Sequence, residues 1–183
     1  MDMKVEKTSL EGVLLVKPEL VIDGRGEFFE DLRGSFFETY NESKYKDHDI
    51  KIHFVEDDIS VSKKNVLRGI HGDDKTWKLV SCVHGKVFFV VVNCNKESSG
   101  FGRWESFDLN EENRWKILVP PMYGNGYLAL TDKVIFQYKQ SSHYNPDGQF
   151  RYKWDDPEFG IDWPVENPIL SSRDADEKYI NTE

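Results

Sequence analysis

The sequence predicts an all-β fold, an antiparallel sandwich or barrel of jelly-roll type, and three observations carry that reading. Short apolar runs of strand length follow one another at regular spacing through the centre of the chain. Turn signals separate them, at His84–Gly85, Ser98–Gly100, Pro120–Pro121 and Gly124–Gly126. Aromatic residues make up 14% of the chain, with eight Tyr, twelve Phe and five Trp, and such side chains pack well on a pleated face.

In chain order the expected strands are 52–61 (IHFVEDDISV), 76–83 (TWKLVSCV), 86–94 (KVFFVVVNC), 103–109 (RWESFDL), 114–120 (RWKILVP), 126–131 (GYLALT) and 134–142 (VIFQYKQSS). A further strand-like run, VLRGI, ends just before His71. Helical signal is confined to NESKYK at 41–46 and NEEN at 110–113. From Pro146 onward the chain is rich in Pro, Asp and Trp, and is expected to be irregular and to pack over the barrel. No repeat, low-complexity stretch or linker divides it, so residues 1–183 are expected to form one domain.

Charge narrows the partners. A formal net charge of −9 repels phosphate backbones, which argues against nucleic-acid binding while leaving room for a locally basic pocket for one nucleotide. Cys82 and Cys94 lie within apolar runs without metal-type spacing and read as buried reduced thiols. The N-terminus has no apolar core of signal-peptide length and no run could span a bilayer, so a cytoplasmic enzyme without membrane contact is expected.

Three polar residues stand where an all-β interior would not want them. His71 follows a strand-like run and a glycine, Lys78 interrupts TWKLVSCV, and Tyr138 shares strand parity with Val134 and Phe136. A base, an enolate-stabilising cation and a proton donor converging in a barrel would suit proton abstraction beside a carbonyl. Each also has an ordinary structural alternative. The histidine could be a satisfied strand residue, the lysine could snorkel to the rim, and the tyrosine could pack with its hydroxyl tied to backbone. Metal ligation is not expected. No second His lies within four residues of His71, Asn125 stands where a later His ligand would fall, and His48, His53, His84 and His143 are scattered. GRG at 24–26 neither follows a strand nor opens a helix, so no dinucleotide cofactor is expected either.

The segment VLRGIH at 66–71 stands in order with eight others: GRGEFFEDLRGSFFETYNE, FVEDDIS, KLV with GKVF, FGRWESFDLNEEN, VPPMYGNGYLAL, FQYKQSSHYNP, YKWDDPEFGIDWP and PILSSRD. Together they closely resemble the nucleotide-sugar 3,5-epimerase family over roughly residues 10 to 175. The resemblance implies a cupin-type jelly roll, active without cofactor, and a homodimer that exchanges N-terminal strands. It implies His71 as catalytic base, Asp174 as the carboxylate that orients it, Tyr138 as acid and Lys78 near the sugar O4. Arg68 would lie beside diphosphate and sugar, and Arg33 and Glu38 would contact substrate from the N-terminal segment. Glu56 and Asp58 fall where the family commonly has Gln and Asn near nucleotide and sugar.

Three departures accompany the resemblance. The stretch from His71 to Lys78 is short, the usual GFAHG reads YGNG so that Asn125 replaces a sugar-contacting His, and positions 56 and 58 are acidic. These features resemble the branch acting on GDP-linked 4-keto heptoses in capsule synthesis more than the thymidine-linked, rhamnose-pathway branch. The expected substrate is therefore a GDP-linked 4-keto heptose, with dTDP-4-dehydrorhamnose epimerisation as the alternative. A 3,4-ketoisomerase and a non-catalytic sugar-binding jelly roll are the competing activities.

Overall fold

Among the described residues, thirteen strands form two antiparallel sheets in face-to-face contact and a separate hairpin, accompanied by two short α-helices. A computed structural model describes residues 3–18, 28–31 and 34–175. The strands are β1 (Lys4–Lys7), β2 (Leu14–Lys17), β3 (Phe28–Asp31), β4 (Gly34–Phe37), β5 (Glu56–Lys63), β6 (Leu67–Asp73), β7 (Lys78–His84), β8 (Lys86–Asn93), β9 (Trp104–Asn110), β10 (Lys116–Val119), β11 (Tyr123–Ala129), β12 (Lys133–Gln140) and β13 (Gln149–Arg151). Helix α1 spans Glu42–Asp47 and α2 spans Ser172–Ala175. One sheet runs β1-β2-β10-β7-β12-β5, the other β13-β6-β11-β8-β9, and β3 pairs with β4.

The core lies between the two large sheets. Cys82 and Val80 of β7, Ile117 and Val119 of β10, and Val134 and Phe136 of β12 meet Phe89 and Val91 of β8 and Tyr127 and Ala129 of β11. Both sheets are also covered on their outer faces. Phe159 and Trp163 of the C-terminal segment pack with Val90, Val92 and Leu128. Tyr45 of α1 and Ile50 pack with Val16, Leu79 and Leu118. A strand buried on both faces has no polar side to show, which is why β8 reads KVFFVVVN without alternation.

Most expected strands recur with shifted ends. The strand expected at 52–61 begins only at Glu56, and the one expected at 126–131 begins already at Tyr123. His71 sits inside β6 rather than after it. The helix at 41–46 forms as α1, capped by Asn41, whose side-chain oxygen accepts from the Ser43 amide at 3.1 Å. NEEN at 110–113 is instead a turn, in which Asn110 Oδ1 accepts from the amides of Glu112 and Asn113. Local Asn bonding of this kind competes with the helix ladder. The short strands β1, β2 and β13 lay below what the pattern revealed.

β6 and β11 approach unusually closely. At Gly69, with φ of 131°, a Cβ would stand 2.5 Å from Gly126 Cα, so only glycine fits. The pairing register shifts between Asn125 and Tyr127 at the same level, setting Asn125 opposite His71 and Tyr127 opposite Arg68.

Candidate active site

A cavity of about 180 Å³ opens between the sheets, lined by Asp58 of β5, Arg68 and His71 of β6, Lys78 of β7, Asn125 and Tyr127 of β11, and Tyr138 and Gln140 of β12. Strand parity accounts for part of this. Asp58 lies opposite Tyr138 in the β5–β12 ladder, so both turn to the same face. Arg68 and His71 are three residues apart, a spacing that points side chains to opposite faces of a regular strand. The register shift at Gly69 and Gly126 lets both reach the cavity.

His71 Nε2 lies 2.6 Å from Asp174 Oδ1. Asp174 is buried in α2, and its other oxygen accepts from Ser171 Oγ at 2.9 Å. Burial works to raise the Asp174 carboxyl, yet the bonds from His71 and Ser171, with Arg173 nearby, outweigh it and hold it below the usual carboxylate range. An ionised carboxylate only accepts, so Nε2 carries the hydrogen in neutral His71 and Nδ1 keeps a free lone pair. Asn125 Nδ2 donates to the His71 carbonyl oxygen at 3.1 Å, which spends its amide on the strand that holds the imidazole.

Lys78 is buried at 7% exposure, and desolvation lowers its ammonium against the pull of Asp73, with Arg173 adding to the lowering. Desolvation also raises the Tyr138 hydroxyl well above its ordinary value, helped by Tyr127 and Asp58, while Ser60 and Arg68 oppose the rise. A tyrosine and a desolvated lysine thus stand across one cavity from a carboxylate-bound histidine.

Six expected site residues, Asp58, Arg68, His71, Lys78, Asn125 and Tyr138, meet here, with Asp174 directly behind His71. Glu56 does not line the cavity. It accepts the Tyr144 backbone amide at 3.1 Å and shares Gln140 Nε2 with Asp58, at 3.0 and 2.8 Å. Glu38 lies elsewhere, paired with Lys44 at 2.9 Å and with Asn41 at 3.0 Å in a depression beside α1. Tyr40, two residues after Glu38, packs on the outer face of the six-stranded sheet, away from the cavity that His71 lines. Arg33 lies outside the described residues.

The structure adds residues that sequence reasoning passed over. Gln140, Tyr144 and Gln149 line both this cavity and an adjoining lobe of about 240 Å³. Arg173 donates to Tyr144 Oη at 3.1 Å and to Gln149 Oε1 at 2.6 Å, closing the rim. Gln140 is findable by alternation, two residues beyond Tyr138, and Arg173 by its place beside Asp174. Nothing local marks Tyr144 or Gln149. Among the described residues no group of three or more His, Cys, Asp or Glu could hold a metal ion.

The model of the family described as dTDP-4-dehydrorhamnose 3,5-epimerase matches residues 7–182. The chain is 38% identical over 178 residues to the dTDP-4-dehydrorhamnose 3,5-epimerase of Salmonella typhimurium, covering 94% of this chain and 93% of that one. It is 37% identical over 177 residues to the enzyme of that name from Methanothermobacter thermautotrophicus, covering 94% and 91%. A crystal structure of the Legionella pneumophila dTDP-6-deoxy-D-glucose-3,5-epimerase with dTDP-4-keto-L-rhamnose superposes with a TM-score of 0.85 at 32% identity, over 94% of this chain and 90% of that one. All three are named for thymidine-linked sugars, so the expected GDP-heptose branch draws no support from them and the thymidine-linked alternative does.

Proposed function

This chain belongs to the dTDP-4-dehydrorhamnose 3,5-epimerase family and is a nucleotide-sugar 3,5-epimerase, an isomerase; on that premise we propose that it inverts carbons beside the keto group of a dTDP-linked 4-keto-6-deoxy sugar, with His71 as base and Tyr138 as acid. The observation that carries the assignment of roles is that His71 comes from one sheet and Tyr138 from the other, and both face one cavity. Inversion requires a proton to leave one face of a carbon and another to arrive on the opposite face.

C3 and C5 both flank the C4 ketone, so their hydrogens are acidified by delocalisation onto one oxygen. His71 Nδ1 takes the proton, and Asp174 stabilises the imidazolium through Nε2–H. Lys78 faces the charge that develops on O4, in a setting where desolvation strengthens the interaction. Tyr138 then delivers a proton from the far side. Asp174→Asn should lower kcat roughly 10- to 100-fold with KM little changed, the worth of a hydrogen bond to a charged partner. Steady-state kinetics check this, and an unchanged kcat would remove Asp174 from the mechanism.

The nucleotide and diphosphate would extend past Arg68 towards the lobe flanked by Tyr144. The family's exchange of N-terminal strands is a further part of this reading, as a homodimer. Among the described residues β5 is an edge strand, with Ile59 and Val61 exposed at 63% and 59%, a template for a second chain. Exchange would also give Glu38 a partner site to enter. Two free buried cysteines suit a reducing cytoplasm.

A GDP-linked 4-keto heptose remains a second substrate reading, resting on an acidic Asp58 and on Asn125 in place of a histidine among the residues that line the cavity. Side-by-side specificity constants on the two substrates, with NMR in heavy water to read which carbons exchange, decide the matter. The thymidine-linked hexose is expected to win, and a clear preference for the GDP-linked heptose would reverse the substrate assignment while leaving the epimerase standing.

A further inference from the structure

A chain of side-chain hydroxyls runs beneath the cavity from Arg68 towards Tyr138. Arg68 Nε donates to Ser62 Oγ at 3.1 Å. Ser62 Oγ lies 2.8 Å from Tyr127 Oη, which lies 2.9 Å from Ser60 Oγ. Ser60 and Ser62 are inward-facing positions of β5 on the same face as Asp58, opposite Phe136 and Val134 of β12. The Tyr127 ring stacks on Phe136 at 4.5 Å, and Phe136 meets Tyr138 edge-on at 5.0 Å, so the aromatic rings hold the hydroxyls in register.

The Arg68 end of the chain is fixed in its roles. A guanidinium can only donate, so Ser62 spends an acceptor site on Arg68 and is free to donate its own hydrogen to Tyr127. With that donation made, Tyr127 can donate to Ser60, whose hydrogen is then left for Tyr138 or for the longer contact to the Phe136 carbonyl at 3.5 Å. A phenolate is much the stronger acceptor of the two.

We propose that Ser60, Tyr127 and Ser62 are positioning residues for the epimerisation, forming a polarised hydrogen-bond chain that carries the influence of Arg68 to the Tyr138 oxygen and stabilises the phenolate left there. The inference rests on Tyr138 being the proton donor. In that step the Tyr138 O–H bond breaks, a C–H bond forms on the sugar, and the negative charge moves from the enolate to the phenolate. No proton leaves Arg68. Burial opposes a phenolate at Tyr138, as do Tyr127 and Asp58 through their charge, and the two groups that favour it there are Ser60 and Arg68, the ends of this chain.

The test measures inversion and solvent-deuterium exchange separately, with dTDP-4-keto-6-deoxyglucose in heavy water. Tyr127→Phe keeps the stacked ring and removes only the middle hydroxyl, and Ser60→Ala removes the last. Each should slow inversion about tenfold, as expected for losing a bond that strengthens on a charged acceptor. Exchange through His71 and KM should be retained, and Ser60→Thr should restore inversion. In a Tyr138→Phe background Tyr127→Phe should add nothing, because the oxygen it serves is gone. Proportional loss of exchange and inversion, or effects that multiply with Tyr138→Phe, would overturn the proposal by making the hydroxyls merely structural. If Tyr138→Phe itself leaves inversion intact, the donor assignment fails first and the chain has no phenolate to serve. If Tyr138→Phe separates the two reactions but the hydroxyl variants do not, only the chain fails.

Discussion

Replacing His71 with asparagine should abolish both epimerisation and solvent-deuterium exchange at every carbon of the substrate. The geometry makes this the most damaging single change in the site. Among the described residues His71 is the one imidazole lining the cavity, and Asp174 holds its Nε2 at 2.6 Å so that Nδ1 is left as the base. Asparagine retains a polar amide but has no group that takes up a proton at neutral pH. Positioned acid–base groups are worth on the order of 10²–10⁴-fold, and both readouts should fall together by at least that range. No proton leaves the carbon without the base, so there is nothing to exchange. A His71→Asn protein that exchanges deuterium at the normal rate would place the base elsewhere. Because Asp174 is buried and would keep its Ser171 bond, loss of its imidazole partner also exposes an uncompensated charge. The folded state should be checked by thermal unfolding alongside kinetics.

Tyr138→Phe should separate the two half-reactions instead of abolishing both. The phenylalanine ring preserves the edge-on packing against Phe136, so the cavity wall survives. His71 still abstracts a proton, but the only route back is return of hydrogen or deuterium to the face it left. Exchange therefore persists while inversion falls by on the order of 10²–10⁴-fold, the contribution of a positioned acid. NMR in heavy water reads exchange from vanishing C–H signals, and inversion from the product's coupling pattern. Loss of both together would move Tyr138 from proton delivery to binding or structure. The contrast between the two variants is the sharpest signature of a two-face mechanism, since a single-base mechanism would lose exchange and inversion in parallel in both.

Much of this was visible in the order of residues alone. Strand-length apolar runs with turn signals between them determine an antiparallel β fold, because period-two side chains and Gly–Asn or Pro–Pro breaks leave few other solutions. The same alternation places Tyr138 on the face of Val134 and Phe136, and the structure has it there, lining the cavity beside Lys78. Asp174, by contrast, was reachable only through resemblance to a family. It is 103 residues from His71 in the chain, and no local pattern marks a carboxylate as the partner of a distant ring.

Tertiary structure alone decided how odd-spaced residues share one cavity and which acidic groups face it. Arg68 and His71 converge because β6 and β11 touch at Gly69 and Gly126 and slip register there, a departure from period two that only the close approach of the two strands requires. Glu56 and Asp58 look equivalent as a pair of acids two residues apart on one strand. In the fold, Glu56 is bound to the Tyr144 amide at 3.1 Å while Asp58 is left to line the cavity. The hydroxyls of Ser60, Ser62 and Tyr127 are ordinary strand residues in the sequence, and become a connected chain only where β5 and β11 face each other across the core, 67 residues apart between Ser60 and Tyr127. Local sequence thus determines which side of a strand a residue faces, because the pleat is a property of neighbouring bonds. Which polar atoms pair and which stay available depends on contacts across the sandwich, and those exist only once the sheets have closed.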